Sequence, residues 1–465
     1  MGLGSLASIA PVVEFASRFG RTIILSRLLS PTEFGIGVAL TALLGIAELI
    51  TDISLDKFIM SRPRDDDREV LASTHKLAIV RGLLIAASIF LASPWIAEIF
   101  GIPEQAWSFR ILAAVPLLRA FSHLELKLVQ REFRYAPEAT ASTVSHVAVF
   151  TAVYPAVRWF GDHRAMLFIL FLECIVYVTA SHLLAKTRFR IAMTDRRILR
   201  EAITYGLPLT LNGLGIAMMG QADRVLISNW FGVETLAFYA VVLNLTILPI
   251  TAIFRILGVL GMSVYAREQR DPLALDRFNL VLIWIFTIVA ACYAIFIAAS
   301  LETLAPLLFG RAYAVLPLIA TIVSMMVWLR VSRGAPTIFM LSNGMTGRLM
   351  TANLISGVGL VLAALLLHVV PRLETVLLCI MVGDTASLTG FFWGIRVHLV
   401  GRFRAVFGYL ATSFAAAVTA SLSVSFSMAD DLWWRAGVLA AAVLMTAAAA
   451  LHGLRRYLMR GGARS

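Results

Sequence analysis

Arginines and carboxylates set inside long apolar segments are the residues of this chain most able to do chemistry. In the first segment Glu14, Arg18 and Arg21 recur at i, i+4 and i+7, which places them on one face of a helix. In the second segment Glu48, Asp52 and Asp56 recur at i, i+4 and i+8, again on one face. A charged side chain near a bilayer centre costs at least about 2.5 kcal/mol on insertion scales, so it faces protein or water. A basic stripe followed by an acidic stripe predicts either a polar cavity or an ion-pair network that neutralises itself while packing the bundle. Arg119 and Arg255 add cations at depth. Glu173, Asp384 and His146 are isolated polar groups near mid-segment, and Asp223 and Arg224 lie nearer a segment end. Arg27, Arg81, Lys127, Arg330 and Arg333 sit close enough to segment ends to snorkel. Several interior arginines favour an anionic substrate, because guanidinium binds phosphate oxygens in bidentate fashion and stays charged when buried. Glu48, Asp52 and Asp56 suit proton or cation coupling, because a carboxylate in a low-dielectric site can titrate near neutral pH. Glu14, Glu173, Asp223, Arg224 and Asp384 are candidates for lining the cavity.

The elements that must hold these groups are membrane spans. The chain has 465 residues, 59% hydrophobic and 15% charged, with mean hydropathy +0.84. Soluble domains are nearer half apolar and a quarter charged. Apolar length marks about fourteen spans, at 3–28, 34–60, 76–98, 107–128, 137–158, 164–185, 203–229, 234–262, 278–300, 314–341, 348–370, 373–396, 405–426 and 432–453. Alternate connections collect the basic residues. One side takes Arg62, Arg64, Arg68 and Lys76, and later Lys186, Arg188, Arg190, Arg196, Arg197 and Arg200. The other takes Arg158, Arg164, Arg311, Arg372 and Arg435. The bias predicts that the first side, with both termini, is cytoplasmic. Trp95, Trp107, Trp159, Trp230, Trp433 and Trp434 then fall at periplasmic ends, as an interfacial belt does. The usual basic lead-in before the first span is missing, which points to a shortened or misassigned start.

The basic connection 186–200 divides the spans into an N-lobe (1–185), a C-lobe (201–397) and a helix pair with a basic tail (398–465). The turn at Leu28-Leu29-Ser30-Pro31-Thr32-Glu33-Phe34-Gly35 is echoed by Trp230-Phe231-Gly232-Val233-Glu234-Thr235-Leu236-Ala237. Repeated halves around a central site are a transporter pattern. Pro11, Pro116, Pro208 and Pro249 interrupt spans that also carry buried charge, as helices lining a cavity do.

The net charge of +12 reflects cytoplasmic loops, so no nucleic-acid partner is expected. Cys174, Cys292 and Cys379 lie inside apolar segments without metal-ligand spacing, and neither a disulfide nor a metal site is expected. The run Asp65-Asp66-Asp67 reads as a solvated loop or a divalent-cation contact. No P-loop, nucleophile elbow, His-Glu-x-x-His or paired Cys-x-x-Cys motif is present, so the expectation is a non-enzyme without a cofactor.

Arg27-Leu28-Leu29-Ser30-Pro31-Thr32-Glu33-Phe34-Gly35, continuing to Glu48-Leu49-Ile50-Thr51-Asp52-Ile53-Ser54-Leu55, resembles the N-terminal signature of bacterial polysaccharide transporters. These are the oligosaccharide flippases of the multidrug/oligosaccharidyl-lipid/polysaccharide exporter superfamily. Leu128-Val129-Gln130-Arg131-Glu132-Phe133-Arg134, Tyr205-Gly206-Leu207-Pro208 and Ala222-Asp223-Arg224-Val225-Leu226-Ile227 resemble its later signatures. The short N-terminus departs from them. The resemblance implies two six-helix lobes around a central cavity with an extra helix pair. It also implies export of undecaprenyl-diphosphate-linked oligosaccharide across the bacterial inner membrane for surface or exo-polysaccharide synthesis. On that reading Arg18, Arg21, Arg119 and Arg255 attract the anion, while Glu48, Asp52 and Asp56 couple transport to a proton or sodium gradient. The partners are lipid-linked oligosaccharide, membrane lipids, a polysaccharide polymerase and a chain-length regulator. A drug/cation antiporter of the same superfamily, a membrane glycosyltransferase or polymerase, and a non-transporting assembly scaffold are the alternatives.

Overall fold

A computed structural model describes residues 3–50, 55–61, 67–132, 134–191, 195–268, 272–396 and 403–425. The described residues form helices, turns and short 3₁₀ segments, without a strand. The helices are α1 (Leu3–Leu28), α2 (Pro31–Ile50), α3 (Leu55–Ser61), α4 (Asp67–Ile99), α5 (Ala106–Leu112), α6 (Ala114–Arg119), α7 (Glu125–Leu128), α8 (Ala136–Phe160) and α9 (Arg164–Leu184). They continue as α10 (Arg196–Glu268), α11 (Pro272–Phe309), α12 (Pro317–Ser332), α13 (Gly334–Ser342), α14 (Thr346–Ile355), α15 (Gly357–Leu366), α16 (Leu373–Ile395) and α17 (Phe403–Ser425). Among the described residues nine helices or helix runs are long and apolar enough to cross a membrane. The chain is an all-α, multi-pass membrane protein. Lipid offers backbone groups no hydrogen bonds, so a spanning segment must satisfy its own, and the helix does so.

The first thirteen expected spans fall on described helix over most of their described length, residues 51–54 of the second lie outside the described residues, and so does all of the fourteenth, 432–453. Three expected continuous spans are broken. The fourth is α5, α6 and α7 with turns between, and the breaks flank Pro116. The tenth divides at Arg333 and the eleventh at Ser356. The seventh and eighth spans join in α10 through a single non-helical residue, Gly232, with φ 80° and ψ 170°.

The molecule comprises two compact units, Met1–Val241 and Val242–Ser465, and the connection 186–200 lies within the first. In the first unit the Ser30-to-Gly35 turn shows why its sequence has that form. Ser30 Oγ accepts the Glu33 N–H at 3.2 Å, capping α2, and Pro31 occupies a position whose N–H would have no helical partner. Phe34 is buried. At Gly35 a Cβ would stand 1.9 Å from the Val233 carbonyl oxygen, so α2 meets the α10 turn backbone to backbone. Thr32 Oγ1 donates to Glu234 Oε1 at 2.5 Å. The two echoed turns therefore touch each other. Ser228 Oγ and Asn229 Nδ2 donate to the carbonyls of Phe100 and Ile99, which extends the clasp to the end of α4. At the opposite end Leu55, Phe58, Ile59, Val70, Leu71, Leu124, Ile198 and Ala202 form one apolar core joining α3, α4, α7 and the start of α10.

In the second unit Gly359 and Gly383 bring α15 against α16, since a Cβ on either would meet backbone atoms within 2.4 Å. The Phe254 and Phe286 rings stack at 5.5 Å against the flat face left by Gly334.

Candidate functional site

Most of the sequence-derived charges of the first unit gather along α1, α2, α6, α8 and α9. On α1, Arg18 pairs with Glu14 one turn earlier at 3.2 Å, and 49% of the Arg18 side chain is exposed. Arg21, three residues on, is mostly buried and donates to Glu173 Oε2 of α9 at 3.0 Å. Ser17 Oγ donates to the His146 carbonyl at 2.8 Å, which docks α1 on α8. The buried His146 ring presents Nδ1 3.9 Å from Glu173 Oε1, beyond hydrogen-bonding reach, and among the described residues Nδ1 has no hydrogen-bond partner. Glu173 therefore faces one bound guanidinium and one poised imidazole.

A second row begins at Glu48 of α2, whose Oε1 lies 3.9 Å from Arg119 Nε. The Arg119 guanidinium stands over the Tyr177 ring at 5.3 Å. The Tyr177 hydroxyl lies 2.9 and 3.1 Å from the two Glu138 oxygens. Lys127 Nζ contacts Glu138 Oε1 at 2.8 Å and Asp56 Oδ2 at 3.4 Å. Glu48, Arg119, Tyr177, Glu138, Lys127 and Asp56 thus form a ladder of alternating charge. The basic stripe of α1 finds a counter-charge on α9, and the acidic stripe finds cations on α6 and α7. Neighbouring spans in sequence did not identify these partners, because the third helix across an interface is set by packing.

Asp223 is buried, accepting the Tyr239 hydroxyl at 2.6 Å and the Arg224 N–H at 2.8 Å. Arg224 Nη1 turns back along α10 to the Gly220 carbonyl and to Gln221 Oε1. The Asp223–Tyr239 bond braces α10 across its break at Gly232. In the second unit Asp384 is gripped from both sides. Arg330 Nε meets Oδ2 at 2.8 Å, Arg333 Nη2 meets Oδ1 at 3.2 Å, and Arg333 Nη1 donates to Ser387 Oγ at 3.1 Å.

Lys127, Arg330 and Arg333 are therefore interior partners, where their distance from segment ends suggested snorkelling. Depth was the missed signal: Arg330 is thirteen residues past Pro317, or about 20 Å along a helix. Asp52, Asp65 and Asp66 lie outside the described residues, as do the side chains of Asp67 and Arg255.

One arrangement imitates an enzyme. Ser108 Oγ is 2.9 Å from His163 Nε2, and His163 Nδ1 is 2.6 Å from Glu33 Oε2. The order is that of a nucleophilic triad. Ser108 is fully buried, however, and its hydroxyl also faces Gln105 Oε1 at 3.2 Å. Glu33 accepts the His163 backbone N–H as well, at 2.8 Å. The row clamps the α8–α9 turn to the start of α2 and leaves no approach for a substrate.

Comparison with known proteins places these features in context. A family model described as "Polysaccharide biosynthesis protein" matches residues 24–317. The succinoglycan biosynthesis transport protein ExoT of Rhizobium meliloti (strain 1021) is 24% identical over 273 residues, covering 55% of this chain and 53% of that protein. The teichuronic acid biosynthesis protein TuaB of Bacillus subtilis (strain 168) is 20% identical over 276 residues, covering 57% and 53%. The matched stretch spans about half the length of these curated relatives. Among solved structures, lipid II flippase MurJ in an inward closed conformation superposes with TM-score 0.70 at 10% identity, covering 97% of this chain and 99% of that one. An inward-facing multidrug resistance MATE transporter of the MOP superfamily gives TM-score 0.66 at 16% identity, covering 86% and 98%. At these identities the likeness is one of fold.

Proposed function

Because the chain belongs to the polysaccharide biosynthesis protein family, we propose that it is an alternating-access flippase that carries undecaprenyl-diphosphate-linked oligosaccharide across the bacterial inner membrane. The product serves surface or exo-polysaccharide synthesis. The chain moves its substrate without covalent chemistry, with both termini in the cytoplasm. A polysaccharide polymerase and a chain-length regulator receive what it delivers. The observation that carries this reading is Arg18. It lies near the middle of α1, half exposed, with its ion-pair partner one turn away on the same helix. An arginine at that depth is stable where it meets water or an anion. The fork of guanidinium N–H groups left beside the single Glu14 contact suits phosphate oxygens. Succinoglycan transport and lipid II flipping, named for two of the similar proteins, point the same way.

In this mechanism the diphosphate first meets Arg18 and Arg119, both half exposed. It then competes with Glu173 for Arg21, and Arg255 contributes from the other half of the chain. The glycan requires a wet cavity, while the lipid tail remains in the bilayer. Glu48, Asp52 and Asp56 take up a proton or sodium ion as the cycle turns. Uncovering these carboxylates requires separating Arg119 from Glu48 and Lys127 from Asp56, so ion uptake and anion release draw on the same pairs.

The test is glycan export per molecule of folded protein. Arg18→Ala should lower it about tenfold or more, since a hydrogen bond to a charged group is worth about 1.5–3 kcal/mol. Lipid-linked glycan should then accumulate in the cytoplasmic leaflet. Arg18→Lys keeps charge without the planar fork and should give an intermediate rate. Full export by Arg18→Ala would reduce Arg18 to packing chemistry. Preferential efflux of cationic drugs by the intact protein would replace the flippase with an antiporter.

A further inference from the structure

We propose that residues 186–191 and residues 195–205, which hold the first turns of α10, form a binding site for anionic phospholipid headgroups of the cytoplasmic leaflet, separate from the path of the transported lipid. Lys186, Arg188, Arg190, Arg196, Arg197 and Arg200 are all exposed there, against two carboxylates, Asp195 and Glu201. Both carboxylates have work within the segment. Asp195 Oδ1 accepts the Arg197 N–H at 2.7 Å, and Glu201 Oε1 pairs with Arg197 Nε at 3.0 Å. Arg196 and Arg200, one turn apart on α10, share a face beside them. Together with Arg197, Glu201, Thr204 and Tyr205 they line an open depression on the surface of α10. Guanidinium pairs of this kind match the oxygens of a phosphodiester.

The cations stand on a fixed base. Glu125 Oε2 accepts the backbone N–H groups of Lys186 and Thr187, at 3.0 and 2.7 Å, and the Thr187 hydroxyl at 2.5 Å. Phe189 packs among the rings of His75, His123 and His182, with centroids 4.1 to 5.8 Å away. Asp195 N–H donates to Ser73 Oγ at 3.2 Å, and Ile198 and Ala202 enter the apolar core. Holding the segment at both ends lowers the entropy lost when a ligand binds.

Exposed apolar groups decide the class of partner. Leu183, Leu184, Ile203 and Tyr205 flank the arginines. A basic cluster at the cytoplasmic end of a span, edged with exposed apolar side chains, matches a leaflet surface with phosphate above and acyl chain below. A soluble nucleotide or an acidic protein would leave that apolar edge in water.

The experiment uses the full chain in nanodiscs of equal palmitoyl-oleoyl phosphatidylglycerol and phosphatidylcholine, with the lipids retained on release counted by native mass spectrometry. Wild type should retain phosphatidylglycerol preferentially. The preference should fall about fivefold for each arginine removed in Arg196→Gln and Arg200→Gln. Arg196→Lys with Arg200→Lys should lie between. Arg158→Gln, an exposed cation on the opposite side, should match wild type. An unchanged preference in the double glutamine variant, or an equal fall in Arg158→Gln, would overturn the proposal. Should the double variant fail to fold, wild type with a headgroup-photoactivatable phosphatidylglycerol decides. Label within 183–205 supports the site, and label confined elsewhere overturns it. Glycan export plays no part in these readouts, so the site stands or falls independently of the flippase reading.

Discussion

In the first unit Arg18 and Arg119 keep nearly half of each side chain exposed, each paired with one carboxylate among the described residues, whereas in the second unit Arg330 and Arg333 close on both oxygens of an Asp384 that is 4% exposed. Both units carry arginine within the helical bundle, yet the consequences differ. A half-exposed pair contributes little to stability and gives up its partner cheaply. A buried carboxylate shared by two guanidiniums is expensive to disturb, because removing it strands two desolvated cations. Exposure therefore separates charge that is accessible and loosely paired from charge that holds helices together.

The sharpest way to break that distinction is Asp384→Asn. It should lower the stability of the purified protein by about 3–5 kcal/mol, read by chemical or thermal unfolding in detergent. A normally stable variant that fails to export glycan would move the triad to the functional side. Gly35→Val comes next. Its Cβ would stand 1.9 Å from the Val233 carbonyl oxygen, so the two echoed turns must part, at a cost of about 1–3 kcal/mol. Folded yield should fall while Arg18 chemistry is untouched. Glu173→Gln tests an intermediate case. Loss of the charged partner of the mostly buried Arg21 should cost about 1–3 kcal/mol, and export should change in step with the freed guanidinium. If stability and export both match wild type, the Arg21–Glu173 bond is incidental. Arg18→Ala should shift unfolding by at most about 1 kcal/mol while export collapses, the reverse of the Asp384 pattern. The smallest effect is expected from Ser108→Ala, about 1 kcal/mol in stability with export unchanged. A large loss of export at normal stability would reopen Ser108 as a reactive group.

Much of the fold was legible in the chain. Span positions follow from apolar runs, and described helices occupy thirteen of those runs. The Ser30-Pro31-Thr32-Glu33-Phe34-Gly35 signature was legible as a tight turn, and the structure adds what each residue touches. The candidate site was legible in part. The face shared by Glu14, Arg18 and Arg21 could be read from spacing, and Glu14 and Arg18 do pair along it. Glu173 as the partner of Arg21 could not, since 152 residues separate them. Nor could the grip on Asp384, because Arg330 and Arg333 looked near enough to a helix end to reach water.

By itself the sequence determined that this is a helical membrane protein with its charges confined to particular helix faces. Hydropathy acts through each segment's own side chains, and lipid obliges each spanning segment to satisfy its own backbone. Only the tertiary structure decided which cation meets which carboxylate. Ion pairing falls off over a few ångströms, and helix neighbours are chosen by shape and close packing across hundreds of residues. The same few ångströms separate the half-open Arg18–Glu14 pair from the closed Arg330–Asp384–Arg333 knot.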